Sequence, residues 1–201
     1  MTWYTNGVLV QRSDRQGLAV GECIRNFRYS GMDAYNSFPL AEYPDSEARN
    51  LSKKVFSRKV AHDAYIINEF ITDPFLLISY VGVCQKRQIP LQLLFVESSY
   101  GREIWQGIDP PRIFWGYEYN SIPIDNQIIT DLAWYPPFAD FWPKLNEHGL
   151  FPSLESVMLF KRTYDRAFMD GKIGDGDMDA YIFRLSVVDP KDILENSGKV
   201  I

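Results

Sequence analysis

Histidine is almost missing from this sequence: its 201 residues hold two, His62 and His148. Metal centres built on several imidazoles are thereby excluded, and no His-x-x-x-His spacing exists for zinc hydrolysis. Cysteine is equally scarce. Cys23 and Cys84 lie far apart in a chain without secretory features, so two reduced thiols are expected rather than a bridge. The phosphate-cradling Gly-x-x-x-x-Gly-Lys-Ser/Thr, the dinucleotide fingerprint Gly-x-Gly-x-x-Gly and the nucleophile elbow Gly-x-Ser-x-Gly are all absent. Nucleotide-dependent and serine-hydrolase chemistry therefore have no support, and no cofactor is expected. The longest apolar stretch, Pro74 to Cys84, is too short for a bilayer and is closed by Gln85, Lys86, Arg87 and Gln88. Met1 to Val10 shows no basic stretch, apolar run and cleavage site. A cytoplasmic protein without membrane association is expected, and on that ground the glycosylation pattern Asn50-Leu51-Ser52 is set aside.

What is present suits a globular domain. Hydrophobic residues make up 46% and charged residues 23%, and the length is enough to bury a core without metals or disulfides. Aromatics reach 15%, a supply that serves cores and recognition surfaces alike. The charge is uneven: residues 1–100 carry 11 Lys and Arg against 10 Asp and Glu, residues 101–201 carry 10 against 16. An acidic second half disfavours nucleic acid and favours either solubility or a basic protein partner.

Local patterns give the elements. Asn6-Gly7 between two β-prone runs predicts a tight hairpin over Trp3 to Val10. Residues 29–45 read as a loop. Asp45 caps a helix from Ser46 with Leu51, Val55, Phe56 and Val60 inward. Lys53, Lys54, Arg58 and Lys59 form its other face, a solvated face or an anion contact. A second helical segment is read over Asp63 to Ile71. Asp73-Pro74 restarts a helix whose buried stripe is Leu77, Tyr80, Val81 and Cys84, with Pro90 as its stop. Leu91 to Val96 reads as a buried strand and Arg112 to Tyr119 as its sheet neighbour. Gln127 to Trp134 fits helix or strand. A helix over Phe138 to Glu147 closes at Gly149, and Ser153 caps another through Leu154, Val157, Met158, Lys161 and Tyr164, with Gly171 beyond its end. Ala180 to Val188 is a strand with Tyr181, Phe183, Leu185 and Val187 on one side and Ile182, Arg184 and Ser186 on the other. The expected architecture is a single α+β domain over residues 1–201, an antiparallel or mixed sheet with helices packed on one face.

Candidate chemistry is thin. The run Asp170-Gly-Lys-Ile-Gly-Asp175-Gly-Asp177-Met-Asp179 has the carboxylates and glycines of a cation loop. Counted from Asp175, however, the obligatory Gly falls on Ala180 and the bidentate Glu on Ser186. It stands as a solvated acidic loop, a docking patch for a basic partner or a weak cation site. His62 beside Asp63 could orient a base for Cys84, though Cys84 belongs to a buried stripe. His148 suits a helix carboxyl end. Glu97, Glu103, Glu118 and Asp125 could supply a carboxylate pair. Phe114, Trp115, Tyr117 and Tyr119, with Trp134, Tyr135, Phe138, Phe141 and Trp142, serve either a core or a stacking surface for a planar or sugar ligand.

Trp115-Gly-Tyr-Glu-Tyr119, Leu145-Asn-Glu-His-Gly-Leu-Phe151, Phe160-Lys-Arg-Thr-Tyr164 and Tyr181-Ile-Phe-Arg-Leu185 lie within Phe114 to Leu185. This stretch resembles a group of small bacterial cytoplasmic proteins, some of them similar to immunity proteins of contact-dependent and other polymorphic toxin systems. The resemblance implies a noncatalytic inhibitor. Partner-binding residues are then expected at Asp170, Asp175, Asp177, Asp179 and Glu118, with Trp115 and Tyr117 as aromatic anchors against a basic toxin. A carboxylate enzyme, with or without a divalent cation, and a small-ligand module remain the alternatives.

Overall fold

A computed structural model describes residues 1–12, 45–57, 71–101, 105, 107–120, 136, 138–173 and 180–196. Its strands are β1 (Tyr4–Arg12), β2 (Leu91–Ser98), β3 (Ile113–Asn120) and β4 (Tyr181–Val188). They form one sheet in the order β1-β2-β4-β3, every neighbouring pair antiparallel. The helices are α1 (Ser46–Ser57), α2 (Pro74–Lys86), α3 (Leu154–Met169) and α4 (Pro190–Glu195). This is the expected α+β arrangement.

The helix starts obey local chemistry. Asp73 Oδ1 accepts from the backbone N–H of Phe75 at 2.8 Å and Leu76 at 3.2 Å, with Pro74 at the first helical position where its missing N–H costs nothing. Ser153 and Ser156 cap α3 reciprocally. Asp189-Pro190 repeats the Asp-Pro start and opens α4, an element the sequence reading missed.

Four expectations about the elements are corrected. Asn6-Gly7 is not a hairpin turn. β1 runs straight through it with a bulge between Thr5 and Gly7 and pairs along its length with β2. A hairpin of two short strands cannot compete with an eight-rung ladder to a buried strand. Second, β2 and β3 are not neighbours: β4, buried at Ile182, Phe183, Leu185 and Val188, sits between them. Third, Phe138 to Glu147 is not one helix but two 3-10 turns, Phe138–Asp140 and Trp142–Lys144. Pro143 lacks the N–H that a continuous helix needs there. Gly149 and Gly171 are left-handed, with φ 71° and 65°. Ile71, expected to end a helical segment, instead makes a single antiparallel bridge to Val8. Residues 63–70 of that segment, Cys23, the loop over residues 29–44, His62, Arg58, Lys59 and residues 127–134 lie outside the described residues, as does the side chain of Lys53.

The register assigns the faces. Val10, Leu93 and Val188 share one face with Phe95, Ser186 and Phe114, and with Ile182 and Tyr119. All four described α-helices pack on this face. α1, α2 and α4 bring Leu51, Leu77, Tyr80, Cys84 and Ile193 onto Val8, Val10, Leu93, Phe95 and Val188 at one end. α3 brings Val157, Phe160 and Tyr164 onto Tyr119 and Ile182 at the other, with Phe138, Phe141 and Phe151 joining. The opposite face holds a separate cluster of Leu9, Leu94, Val96, Phe183 and Leu185 capped by Leu150, with Trp115 and Trp142 alongside. At Gly116 the chain passes so near that an added Cβ would lie 2.6 Å from Leu150 Cβ and 3.0 Å from the Phe151 carbonyl oxygen. Only glycine allows this approach.

Candidate functional site

Between the two helical packs, the helix-bearing face carries a row of polar side chains. Thr5 on β1 opposes Glu97 on β2, Glu97 opposes Arg184 on β4, and Arg184 opposes Tyr117 on β3. Strand alternation turns all four the same way. Both edge strands bulge beside this row, β1 between Thr5 and Gly7 and β3 between Phe114 and Gly116. Bulges add twist and re-aim side chains, and they recur next to functional sites.

Glu97 and Arg184 form a two-pronged pair: Arg184 Nε donates to Glu97 Oε2 at 2.6 Å and Nη2 to Oε1 at 2.5 Å. The Glu97 side chain is 8% exposed and that of Arg184 33%. Hydrogen bonds donated to Glu97 raise the Arg184 pKa, outweighing burial, which lowers it. Arg112 closes in from the loop before β3. Its Nη1 lies 3.5 Å from Glu97 Oε1, its Nη2 donates to Asp109 Oδ1 at 2.6 Å, and its guanidinium sits 4.2 Å above the Phe95 ring. Glu97, Arg112 and Arg184 are the floor of a cleft of about 570 Å³, walled by Trp105, Ile108 and Pro110.

An aromatic rim borders the floor. Trp3 lies under the Arg184 guanidinium at 5.2 Å and beside Tyr117 at 5.6 Å between centroids, and Tyr117 meets Phe114 at 4.9 Å. Phe114 is exposed, at 45%. Large apolar groups left open beside arginines are the composition of recognition surfaces.

The residues expected to bind a partner are dispersed. Tyr117 belongs to the site. Trp115 stacks on His148 at 4.1 Å and accepts a hydrogen bond on its carbonyl from Asn146 Nδ2 at 2.6 Å. Glu118 alternates to the opposite face and is fully buried there, where Asn120 Nδ2 donates to it at 3.3 Å. It has no surface from which to meet a partner, and this corrects its place among the contact residues. Asp170 is exposed at the end of α3 with Lys172 Nζ 3.0 Å away, so its charge is locally offset. Asp175, Asp177 and Asp179 lie outside the described residues. Cys84 is buried in α2, where desolvation pushes its thiol up to about 12, a value that suits a core residue and not a nucleophile. His148 follows a turn, not the helix it was expected to cap, and faces Glu147 at 3.6 Å. Among the aromatics, Tyr119, Phe138, Phe141, Phe151, Phe160 and Tyr164 are core, while Trp134 and Tyr135 lie outside the described residues.

The sequence reading named Glu97 only among scattered carboxylates and missed Arg184, Arg112, Trp3 and Trp105. One signal was available: Arg184 interrupts the otherwise apolar strand Tyr181–Val188, and a charge inside such a strand needs a partner. Among the described residues no group of three or more His, Cys, Asp or Glu is placed to hold a metal ion. No helix among them is long and apolar enough to cross a membrane. No protein-family model, curated protein or solved structure matches this chain.

Proposed function

We propose that this chain is a noncatalytic binding protein that neutralises a cognate bacterial toxin in the cytoplasm, meeting its partner with the rim on the helix-bearing face. The observation that carries the reading is the ring row Trp3, Tyr117 and Phe114, with Phe114 exposed and Arg184 fixed beside it by Glu97. Aromatic and arginine anchors held rigid before binding lose little entropy on association and dominate interface energies. A basic partner further suits the acidic second half of the chain, and the loop carrying Asp170, Asp175, Asp177 and Asp179 is the proposed electrostatic contact.

The test is calorimetric titration of the full chain with the purified toxin-like product of an adjacent gene. Tight one-to-one binding is expected. Phe114→Ala should weaken it about tenfold or more through faster dissociation. Joint neutralisation of Asp175, Asp177 and Asp179 should slow association and flatten its salt dependence. A toxin-like neighbour that neither binds nor is neutralised would overturn the reading.

A further inference from the structure

Two guanidinium groups share one buried carboxylate on the floor of the cleft. Arg184 gives Nε and Nη2 to Glu97, which completes one ion pair. Arg112 is left with a loose 3.5 Å approach to Glu97 Oε1 and a 2.6 Å hydrogen bond to Asp109. Its Nε is buried and has no hydrogen-bond partner among the described residues. A buried donor without an acceptor is unfavourable, and its presence beside an open cleft points to an acceptor brought from outside.

Asp109 shows what kind of acceptor fits. It is 83% exposed and holds Arg112 by a single oxygen, so an external group can take its place at little cost. The floor without Asp109 carries one net positive charge, which matches a monoanion; a dianion would also face the Glu97 carboxylate. A planar carboxylate suits the guanidinium fork in a way a spherical anion does not. The wall beside it is built in advance. Trp105 Nε1 donates to the Ile108 carbonyl at 2.9 Å, and Gly107 packs so closely that a Cβ there would meet Pro74 Cγ at 2.9 Å. Trp105, Ile108 and Pro110 are themselves buried and hold the wall rigid, so the cleft surface is mainly polar, and the volume is that of ordinary small-molecule pockets.

We infer that this cleft binds a carboxylate, with Arg112 as the anchor, Arg184 as the second cation and Asp109 as the internal group that the ligand displaces. The carboxylate belongs either to a free organic acid or to an acidic side chain or chain end of a protein.

The experiment is calorimetric titration of the full chain with benzoate, benzamide, inorganic phosphate and a short peptide ending in phenylalanine with a free carboxylate. Benzoate is expected to bind and its neutral isostere benzamide not to. The peptide binding more tightly than benzoate assigns the carboxylate to a protein, and the reverse order assigns it to a free acid. Arg112→Gln should abolish benzoate binding. Asp109→Asn, which alters an exposed side chain and leaves the core untouched, should tighten it about three- to tenfold by removing the competitor. If Arg112→Gln fails to fold, the Asp109→Asn comparison decides alone. Benzamide binding as well as benzoate, phosphate binding more tightly than either, unchanged affinity in Asp109→Asn, or no binding by any probe would each overturn the assignment.

Discussion

The two faces of one strand invite comparison. β4 turns Phe183 and Leu185 into an apolar cluster with Leu9, Leu94 and Val96 on the face that carries none of the described α-helices, where Glu118 is buried opposite Phe183. On the side that carries every described α-helix it presents Arg184 and Ser186 between Ile182 and Val188. The face that carries the described helices thus holds the Glu97–Arg184 ion pair and leaves Phe114 open, while the opposite face is buried throughout its cluster. Helices shield the two ends of the helix-bearing face and leave the middle to a salt bridge. Burying two charges brings a desolvation penalty that their attraction does little more than offset, whereas apolar burial on the other side is favourable outright. The opposite face therefore holds the sheet together, and the polar row occupies a place where stability alone would favour leucine.

The largest effect that would break this comparison is on the apolar side. Phe183→Ala removes a fully buried ring and is expected to cost about 3–5 kcal/mol by urea denaturation. A loss no greater than that of a surface substitution would show that this face is not the stabilising one. The polar row comes next. Glu97→Gln leaves Arg184 uncompensated and should cost roughly 2–3 kcal/mol, discounted for the partial exposure of Arg184. The double replacement Glu97→Leu with Arg184→Met should recover most of that loss, because no charge is then stranded. A double variant as unstable as the single would mean that the pair is structural. Gly116→Ala, at the junction of the faces, should cost about 1–3 kcal/mol as its methyl group meets Leu150.

The smallest effect sharpens the contrast between a buried and an exposed pair. Asp45 accepts from the Ala48 N–H at 2.9 Å and from Arg87 at 2.7 Å, tying α1 to α2. The backbone bond first, and then Arg87, hold its pKa below the ordinary 3.8, although partial burial opposes them. The folded state thus favours the ionised form. That contribution is complete above the ordinary value and is lost as pH falls through the lower folded value. The melting temperature of Asp45→Asn should accordingly lie slightly below that of the unaltered protein at neutral pH and converge with it on acidification below pH 3.8. A gap that persists at lower pH would contradict this account.

What could be read from the sequence was local. Asp73-Pro74 and Ser153 announced their helices because a cap is settled within four residues. Leu91 to Val96 and Ala180 to Val188 announced strands through apolar content and alternation. Asn6-Gly7 misled, since the same dipeptide serves a turn or a bulge and only the ladder to β2 decides which. Strand order was hidden for the same reason. The site was the least legible part, because Glu97 and Arg184 are 87 residues apart and meet only through a register that two bulges adjust. Tyr117 was found through its neighbours in sequence, whereas Glu118 was misplaced by one step of strand alternation.

The single bridges at the two margins of the sheet have a further consequence. Val8 exchanges both backbone hydrogen bonds with Ile71, and Tyr117 does so with Phe151. β3 is thereby closed in the polar row itself and β1 beside it, at the level of Phe95, where another chain would otherwise add as a new strand. Recognition at this level must then proceed through side chains standing on the sheet and not through the peptide backbone. The same closure protects the folded chain from joining edge to edge into filaments.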